Sequence, residues 1–321
     1  MNCFMPPWWH VRGRGGKPAP RAHRTVQGSV LPSRAVPASA PFATPSHSLN
    51  FSTFFITGCA SGIGRHLAGV LLAAGHTVFA TDLDEAALRA HASASGWPAD
   101  RAHTRRLDVT DAGAWDLVFA EAARVLGRVD VLINVAGYLL PGYIADADAA
   151  AVHRHLDVNT KGTIFGTQVA ARHMLARGQG HIINIASLAA LAPIPGIALY
   201  SASKYAVRGF SLAAAQELAP RGVAVTVVCP DAVQTPMLDL QVGYKEAAMT
   251  FSGSRVLTVD DISDAIIQRA LPLRPLEIHL PRSRALLARL ADLLPRTALW
   301  LRPRLEARGR ARQARIQRDA R

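Results

Sequence analysis

The chain has 321 residues, half of them apolar, enough for one large or two ordinary domains with a sizeable core. Its formal charge of +13 sits at the ends: residues 1–50 carry six Lys/Arg and no acid, residues 281–321 carry twelve Arg against three acids, and the stretch between holds 18 basic and 20 acidic residues. A near-neutral middle excludes the basic stripe of a specific nucleic-acid binder; three isolated cysteines, Cys3, Cys59 and Cys229, exclude a zinc or disulfide framework; and no apolar run reaches the roughly 18 residues of a membrane-spanning helix.

In chain order, residues 1–50 combine eight prolines with many Ser, Ala and Arg. Such a segment buries too little apolar surface to fold, and a disordered extension is expected. Its prolines break any amphipathic transit helix, and it has no apolar stretch for a secretory signal. With reduced, unpaired cysteines, the expected location is cytoplasmic, with at most a peripheral membrane contact.

Residues 51–280 alternate short β-rich runs with Ala/Leu-rich segments. The pattern predicts strands over 53–57, 76–82, 103–109, 129–137, 180–187 and 223–230, and helices over 63–74, 85–93, 112–126, 149–176 and 201–219. Strands apolar on both faces and separated by helices indicate a parallel sheet covered on both sides. The predicted fold is a single doubly wound α/β domain of Rossmann type, with its ligand at the carboxyl ends of the strands.

Residues 281–321 form a basic tail. Leu286, Leu287, Leu290, Leu293 and Leu294 recur at helical spacing between arginines, which describes an amphipathic helix. It either packs on the domain or a partner subunit, or lies on an anionic membrane surface. Pro295 and Pro303 are expected to break it into short pieces.

The first chemical signal is "TGCASGIG", Thr57 to Gly64, placed between the first strand and the first helix. Glycines there allow a tight turn and close approach of the backbone to a pyrophosphate, whose charge the helix N-terminus favours. A glycine-rich turn alone is often only a loop, but an acid follows at the right distance: Asp82 ends the second strand 24 residues after Gly58. A carboxylate there accepts from both ribose hydroxyls and repels a 2′-phosphate, which favours NAD over NADP. The second signal is "YSASK", which sets Tyr200 and Lys204 four residues apart. On a helix they share a face, and the ammonium favours the phenolate of a phenol whose ordinary pKa is about 10. The pair alone also fits an ordinary surface helix.

With these motifs in this order, residues 52–280 resemble the short-chain dehydrogenases/reductases in their single-domain form. "LDVTD" carries Asp108 and Val109, "NVAG" runs from Asn134 through Ala136 to Gly137, "VNTKG" supplies Asn159, "NIAS" supplies Ser187, and "CPDAVQTPM" contains Val233 and Thr235. The resemblance implies a nicotinamide cofactor held by Thr57, Gly58, Ser61, Gly62, Ile63, Gly64, Asp82, Asp108, Val109, Asn134, Ala136, Gly137, Val233 and Thr235, together with Tyr200 and Lys204. It further implies Tyr200 as general acid/base, Lys204 lowering its pKa and holding the ribose, Ser187 placing the substrate oxygen, and Asn159 holding a water that links Lys204 to solvent. No metal is implied, and a homo-oligomer is expected.

Two positions depart from the family pattern. Val135 replaces an asparagine, at the expected loss of one hydrogen bond. Asp231 replaces a glycine; its backbone must avoid a positive φ, and its charge either meets the substrate or faces solvent. The expected pocket segments, Tyr138 to Leu140, Leu188 to Leu199 and Met237 to Phe251, are mostly apolar. They suggest a lipophilic secondary alcohol or ketone such as a sterol, retinoid or long-chain acyl compound, although core or subunit interface explains them almost as well. The alternatives are a catalytically silent NAD-binding module and an NADP-dependent 3-oxoacyl reductase. An intact Asn159, Ser187, Tyr200 and Lys204 set argues against the silent module.

Overall fold

The structure, a computed structural model, describes residues 53–319; the extension expected over residues 1–50 lies outside them. The chain runs β1 (Thr53–Thr57), α1 (Gly62–Ala73), β2 (Thr77–Asp82), α2 (Glu85–Ala94), β3 (Ala102–Arg106), α3 (Ala112–Val125) and β4 (Val131–Asn134). A helix of three parts follows: α4 (Ala149–His155), a π-turn (Leu156–Lys161) and α5 (Gly162–Leu175). Next come β5 (Gly180–Ile185), α6 (Ala198–Leu218), β6 (Val223–Pro230), α7 (Pro236–Val242) and a 3-10 segment (Lys245–Ser252). The chain closes with α8 (Val259–Ala265), a second π-turn (Ile266–Ala270), α9 (Leu271–Leu273), β7 (Glu277–Leu280), α10 (Arg282–Leu293) and α11 (Pro295–Asp319).

The strands form one parallel sheet in the order β3-β2-β1-β4-β5-β6-β7. This is the predicted doubly wound fold. The order reverses at β1 and β4, so the crevice at their carboxyl ends is the expected place for a ligand.

Alternation along β1 sends neighbouring phenylalanines to opposite faces. Phe54 and Ile56 join Leu67, Leu71, Val78, Ile133 and Ile262 in the core under α1 and α8. Phe55 enters the other core with Phe79, Leu132 and Met174, its ring 5.4 Å from that of Phe79, 5.2 Å from Phe119 and 5.7 Å from Trp115. Each buried phenylalanine brings about 150–250 Å² out of water, which makes this cluster a principal anchor of β1.

Four elements differ from expectation, the first being the strand expected over 129–137, which is confined to Val131–Asn134. The strand expected over 103–109 ends at Arg106, because Asp108 and Asp111 turn the chain into α3: the Asp108 carboxylate accepts from the Thr110 N–H (2.9 Å) and Asp111 caps α3 by accepting from the Ala114 N–H (3.0 Å). The helix expected over 149–176 is interrupted by the π-turn around Asn159. An additional strand, β7, completes the sheet next to β6.

The tail packs on the domain. Ala285 of α10 is buried beside Ala186, Leu188 and Val207. On α11, Ile316 packs against Leu238, Ala247 and Phe251, and the buried Gln313 donates to the carbonyls of Gln241 (3.1 Å) and Tyr244 (2.9 Å). Pro295 opens α11, where a missing N–H is harmless. Pro303 lies inside that helix and does not end it, contrary to the expected break.

Candidate active site

The loop after β1 is shaped by steric limits. Gly58 has φ +72°, and a Cβ there would stand 2.9 Å from the Ala136 backbone. A Cβ on Gly64 would collide with the Gly58 carbonyl, so α1 meets the loop only without a side chain at that position. The Thr57 hydroxyl accepts from the N–H groups of Val135 (3.0 Å) and Ala136 (3.1 Å), which ties the end of β1 to the end of β4. Between these ends opens a cavity of about 300 Å³.

Most of the predicted cofactor residues line this cavity: Thr57, Gly58, Ser61, Gly62, Ile63, Gly64, Asp82, Asp108, Val109, Ala136, Gly137 and Thr235. Asp82 is fixed by its own hydrogen bonds, accepting from the Ala60 N–H (2.8 Å) and the Asp84 N–H (3.0 Å). For Asp108, burial raises the carboxyl pKa, but hydrogen bonds from Thr110 and the nearby Arg106 and Arg154 outweigh it and hold the group below its ordinary value.

Asn134 does not line the cavity. It is buried, and its amide donates to Asn184 Oδ1 (2.9 Å), whose own amide donates to Ser211 Oγ (2.9 Å), so it belongs to a polar network behind the site. Val135, in place of the family's asparagine, packs partly buried on the core under α1 while its N–H keeps the bond to Thr57.

A second cavity, of about 120 Å³, is lined by Ser187, Tyr200, Lys204 and Val233. It adjoins the first through Ile63, Val135, Gly137, Thr235 and Met237, which line both. Tyr200 and Lys204 lie one turn apart on α6, the ammonium 5.6 Å from the tyrosine ring centroid and donating to the Ile185 carbonyl (2.9 Å). Burial pulls Lys204 down to about 8. For Tyr200, burial dominates and pushes the phenol up to about 12, with a hydrogen bond to Ser187 pulling the other way. The expected depression by Lys204 is therefore not what governs the phenol in this state; desolvation is larger.

Asn159 lies in the π-turn and is wholly buried. Its side-chain oxygen accepts from the Tyr138 N–H (2.7 Å), and its amide donates to the Tyr138 carbonyl and to Ser203 Oγ, both at 2.9 Å. Ser203 in turn donates to the Tyr200 carbonyl (2.7 Å). The side chain thus holds the loop after β4 against α6.

Asp231 adopts no positive φ, so the feared strain is absent. Its carboxylate neither faces solvent nor stands alone. It lines the second cavity and pairs with Arg284 of α10 (2.6 Å), which also donates to Ser252 Oγ (3.0 Å).

Several participants carry no local signal in the sequence. Arg154 of α4 lines the first cavity, its guanidinium 4.8 Å from the Tyr138 ring centroid. The buried His155 donates from Nδ1 to the Ala151 carbonyl (2.7 Å) and accepts at Nε2 from the Leu140 N–H (3.3 Å), steadying the loop that carries Tyr138. Gln241 and Thr250 reach the second cavity, joined to each other at 3.0 Å. Cys229, Glu277 and His279 also lie together. Glu277, however, is already occupied by Arg208 (2.5 Å) and Arg289 (3.0 Å), whose charges oppose a bound cation.

A family model described as short chain dehydrogenase matches residues 52–242. A 2-keto-3-deoxy-L-fuconate dehydrogenase of Xanthomonas campestris is 38% identical over 200 residues, 62% of this chain and 64% of that protein's length. A 3-beta-hydroxysteroid dehydrogenase of Comamonas testosteroni is 38% identical over 185 residues, 57% of this chain and 71% of its own. Among solved structures, a short chain dehydrogenase/reductase of Burkholderia phymatum in complex with NAD aligns with a TM-score of 0.68 at 25% identity, covering 74% of this chain and 92% of that one.

Proposed function

This chain belongs to the short chain dehydrogenase family, and on that premise we propose that it interconverts a secondary alcohol and a ketone with NAD as the preferred cofactor. The observation that carries the reading is the junction of the two cavities, with Ser187, Tyr200 and Lys204 on one side and the glycine loop on the other.

The first cavity fits a dinucleotide. It is lined by the glycine loop, whose close packing on the Ala136 backbone and on α1 leaves no room for a Cβ at Gly58 or Gly64, and it carries the Asp82 carboxylate where ribose hydroxyls need an acceptor. A 2′-phosphate would meet that charge, which supports NAD over NADP. When bound, the nicotinamide supplies the hydride acceptor or donor. The protein's own task is the proton.

Ser187, which lines the second cavity with Tyr200 and whose Oγ accepts from the Ala189 N–H (3.1 Å), donates its hydroxyl hydrogen bond to the substrate oxygen and orients that oxygen toward the phenol. In oxidation the alcohol O–H bond breaks as its proton passes to Tyr200, whose phenolate form burial disfavours in this state and which needs the positive charge of a bound oxidised nicotinamide beside Lys204, and the carbonyl forms as the hydride leaves carbon for the nicotinamide. In reduction Tyr200 returns the proton. Lys204, still mostly charged at neutral pH with a pKa of about 8, offsets the phenolate. Asn159 keeps α6 and the loop after β4 in register so that these groups stay together.

The second cavity supports a substrate with an apolar body. Leu139, Ile194, Ile197 and Leu238 are among its apolar lining, while Asp231, Gln241 and Thr250 leave polar points within it. A volume of about 120 Å³ takes a small ring or a short acyl piece.

The test is a panel of secondary alcohols with NAD, read by absorbance of the reduced cofactor and repeated with Tyr200→Phe. The variant is expected to lose about 10²-fold or more in kcat while binding NAD as before. Retention of more than about a tenth of the parent rate would remove Tyr200 from the role of acid/base.

A further inference from the structure

Helix α10 is seated on the domain inside out. Its inward side is made of small and polar residues: Ala285 is buried, Arg284 pairs with Asp231, and Asp292 accepts from the Tyr205 hydroxyl (3.0 Å). Its leucines point away. Leu286, Leu287, Leu290 and Leu293 share one face of the helix, Leu294 follows as its C-cap, and all five are between 47% and 74% exposed. Trp300, on the first turns of α11, adds a further large apolar group at 69% exposure. Soluble surfaces rarely concentrate apolar side chains in this way without an occupant.

Charge selects the occupant. Residues 281–321 hold twelve arginines against three acids. Arg282, Arg296 and Arg308 are exposed and have no carboxylate partner among the described residues. A second copy would bring the same positive segment against itself, and residues 1–50 are also basic, with six Lys/Arg and no acid. We propose that the leucine face of α10, with Trp300, docks on an anionic lipid surface, the leucines entering the acyl boundary and the arginines meeting the headgroups.

The position is useful to the site. Gln313, farther along α11, holds the carbonyls of Gln241 and Tyr244, and Gln241 lines the second cavity. The same hairpin that reaches the lipid therefore braces the substrate wall. The lipid contact does not depend on the dehydrogenase reading, because its measurement uses no turnover.

The experiment is co-sedimentation of the full chain with vesicles of equal phosphatidylglycerol and phosphatidylcholine, compared with phosphatidylcholine alone, at low and high salt. Binding is expected to the anionic vesicles only, to weaken with salt, and to fall at least about tenfold both in Leu287→Gln/Leu290→Gln/Leu293→Gln and in Arg282→Gln/Arg296→Gln/Arg308→Gln. Thermal unfolding serves as the control for the fold. Should a variant fail to fold, the parent gives a second readout: brominated phosphatidylglycerol should quench tryptophan emission that Trp300→Phe removes. The proposal is overturned if the full chain ignores anionic vesicles at low salt, if no Trp300 emission is quenched, or if the leucine variant binds vesicles like the parent and instead abolishes a concentration-dependent dimer.

Discussion

Replacing Arg284 by alanine should destabilise the protein through a residue 53 positions away in sequence, Asp231. In the folded protein Arg284 Nε stands 2.6 Å from Asp231 Oδ2, and the two side chains are 27% and 9% exposed. Removing one partner of a buried pair typically costs about 3–5 kcal/mol, since the remaining charge is left without a partner; the partial exposure of Arg284 puts the expectation near the lower end, about 3 kcal/mol. For a domain of this size that is a fall of roughly 6–12 °C in Tm. Asp231→Ala/Arg284→Met removes both charges and should lose only about 1 kcal/mol, so the pair is strongly coupled.

The pH dependence gives an independent sign. Burial already raises the Asp231 pKa although Arg284 pulls it down, and without the cation it rises further. A carboxyl whose folded pKa lies above its unfolded value binds more protons when folded. Stability therefore falls as pH rises from the ordinary carboxylate range of about 4 to the raised folded value, and is recovered on acidification. Urea unfolding at about pH 8 and about pH 5 should show Arg284→Ala closer to the parent at the lower pH, with no such convergence in the double variant. A loss below about 1 kcal/mol in Arg284→Ala, equal at both pH values, would refute the buried-pair argument.

Asp82→Ala should raise the catalytic efficiency with NADP relative to NAD, because it removes the charge that opposes a 2′-phosphate; steady-state kinetics with both cofactors measure the ratio, and an unchanged ratio counts against the assignment. Gly64→Ala should abolish NAD binding in calorimetry, since its Cβ would collide with the Gly58 carbonyl and displace the loop. Asn159→Ala removes three side-chain hydrogen bonds, to Tyr138 twice and to Ser203, and should cost about 2–4 kcal/mol in urea unfolding while also lowering kcat.

What the sequence by itself determined lies within single elements and single turns. The strand-turn-helix setting of Gly58 and Gly64, Asp82 at the end of β2, and Tyr200 with Lys204 one turn apart on α6 are all set by short-range spacing, which a chain displays directly. The same spacing made the parallel sheet legible, because buried strands and helices of ordinary length repeat in alternation. Strand β7 escaped because four residues, Glu277–Leu280, show no decisive period and gain their state from pairing with β6. The π-turn at Asn159 escaped because its residues read as ordinary helix; its buried hydrogen bonds to Tyr138 and Ser203 join parts of the chain far apart in sequence.

Only the tertiary structure decided where side chains without local partners would go. Asn134, the last residue of β4, is buried and bonds Asn184, so its motif alone did not reveal that it lies behind the cavity. Asp231 looked like a hazard in place of glycine, yet packing of α10 delivers Arg284 to it. Leu286, Leu287, Leu290, Leu293 and Leu294 were evident as one face, but amphipathicity does not say which face a helix buries. That depended on the surface it meets, where Ala285 fits against Leu188 and Val207, Arg284 finds Asp231, and the leucines are left outside.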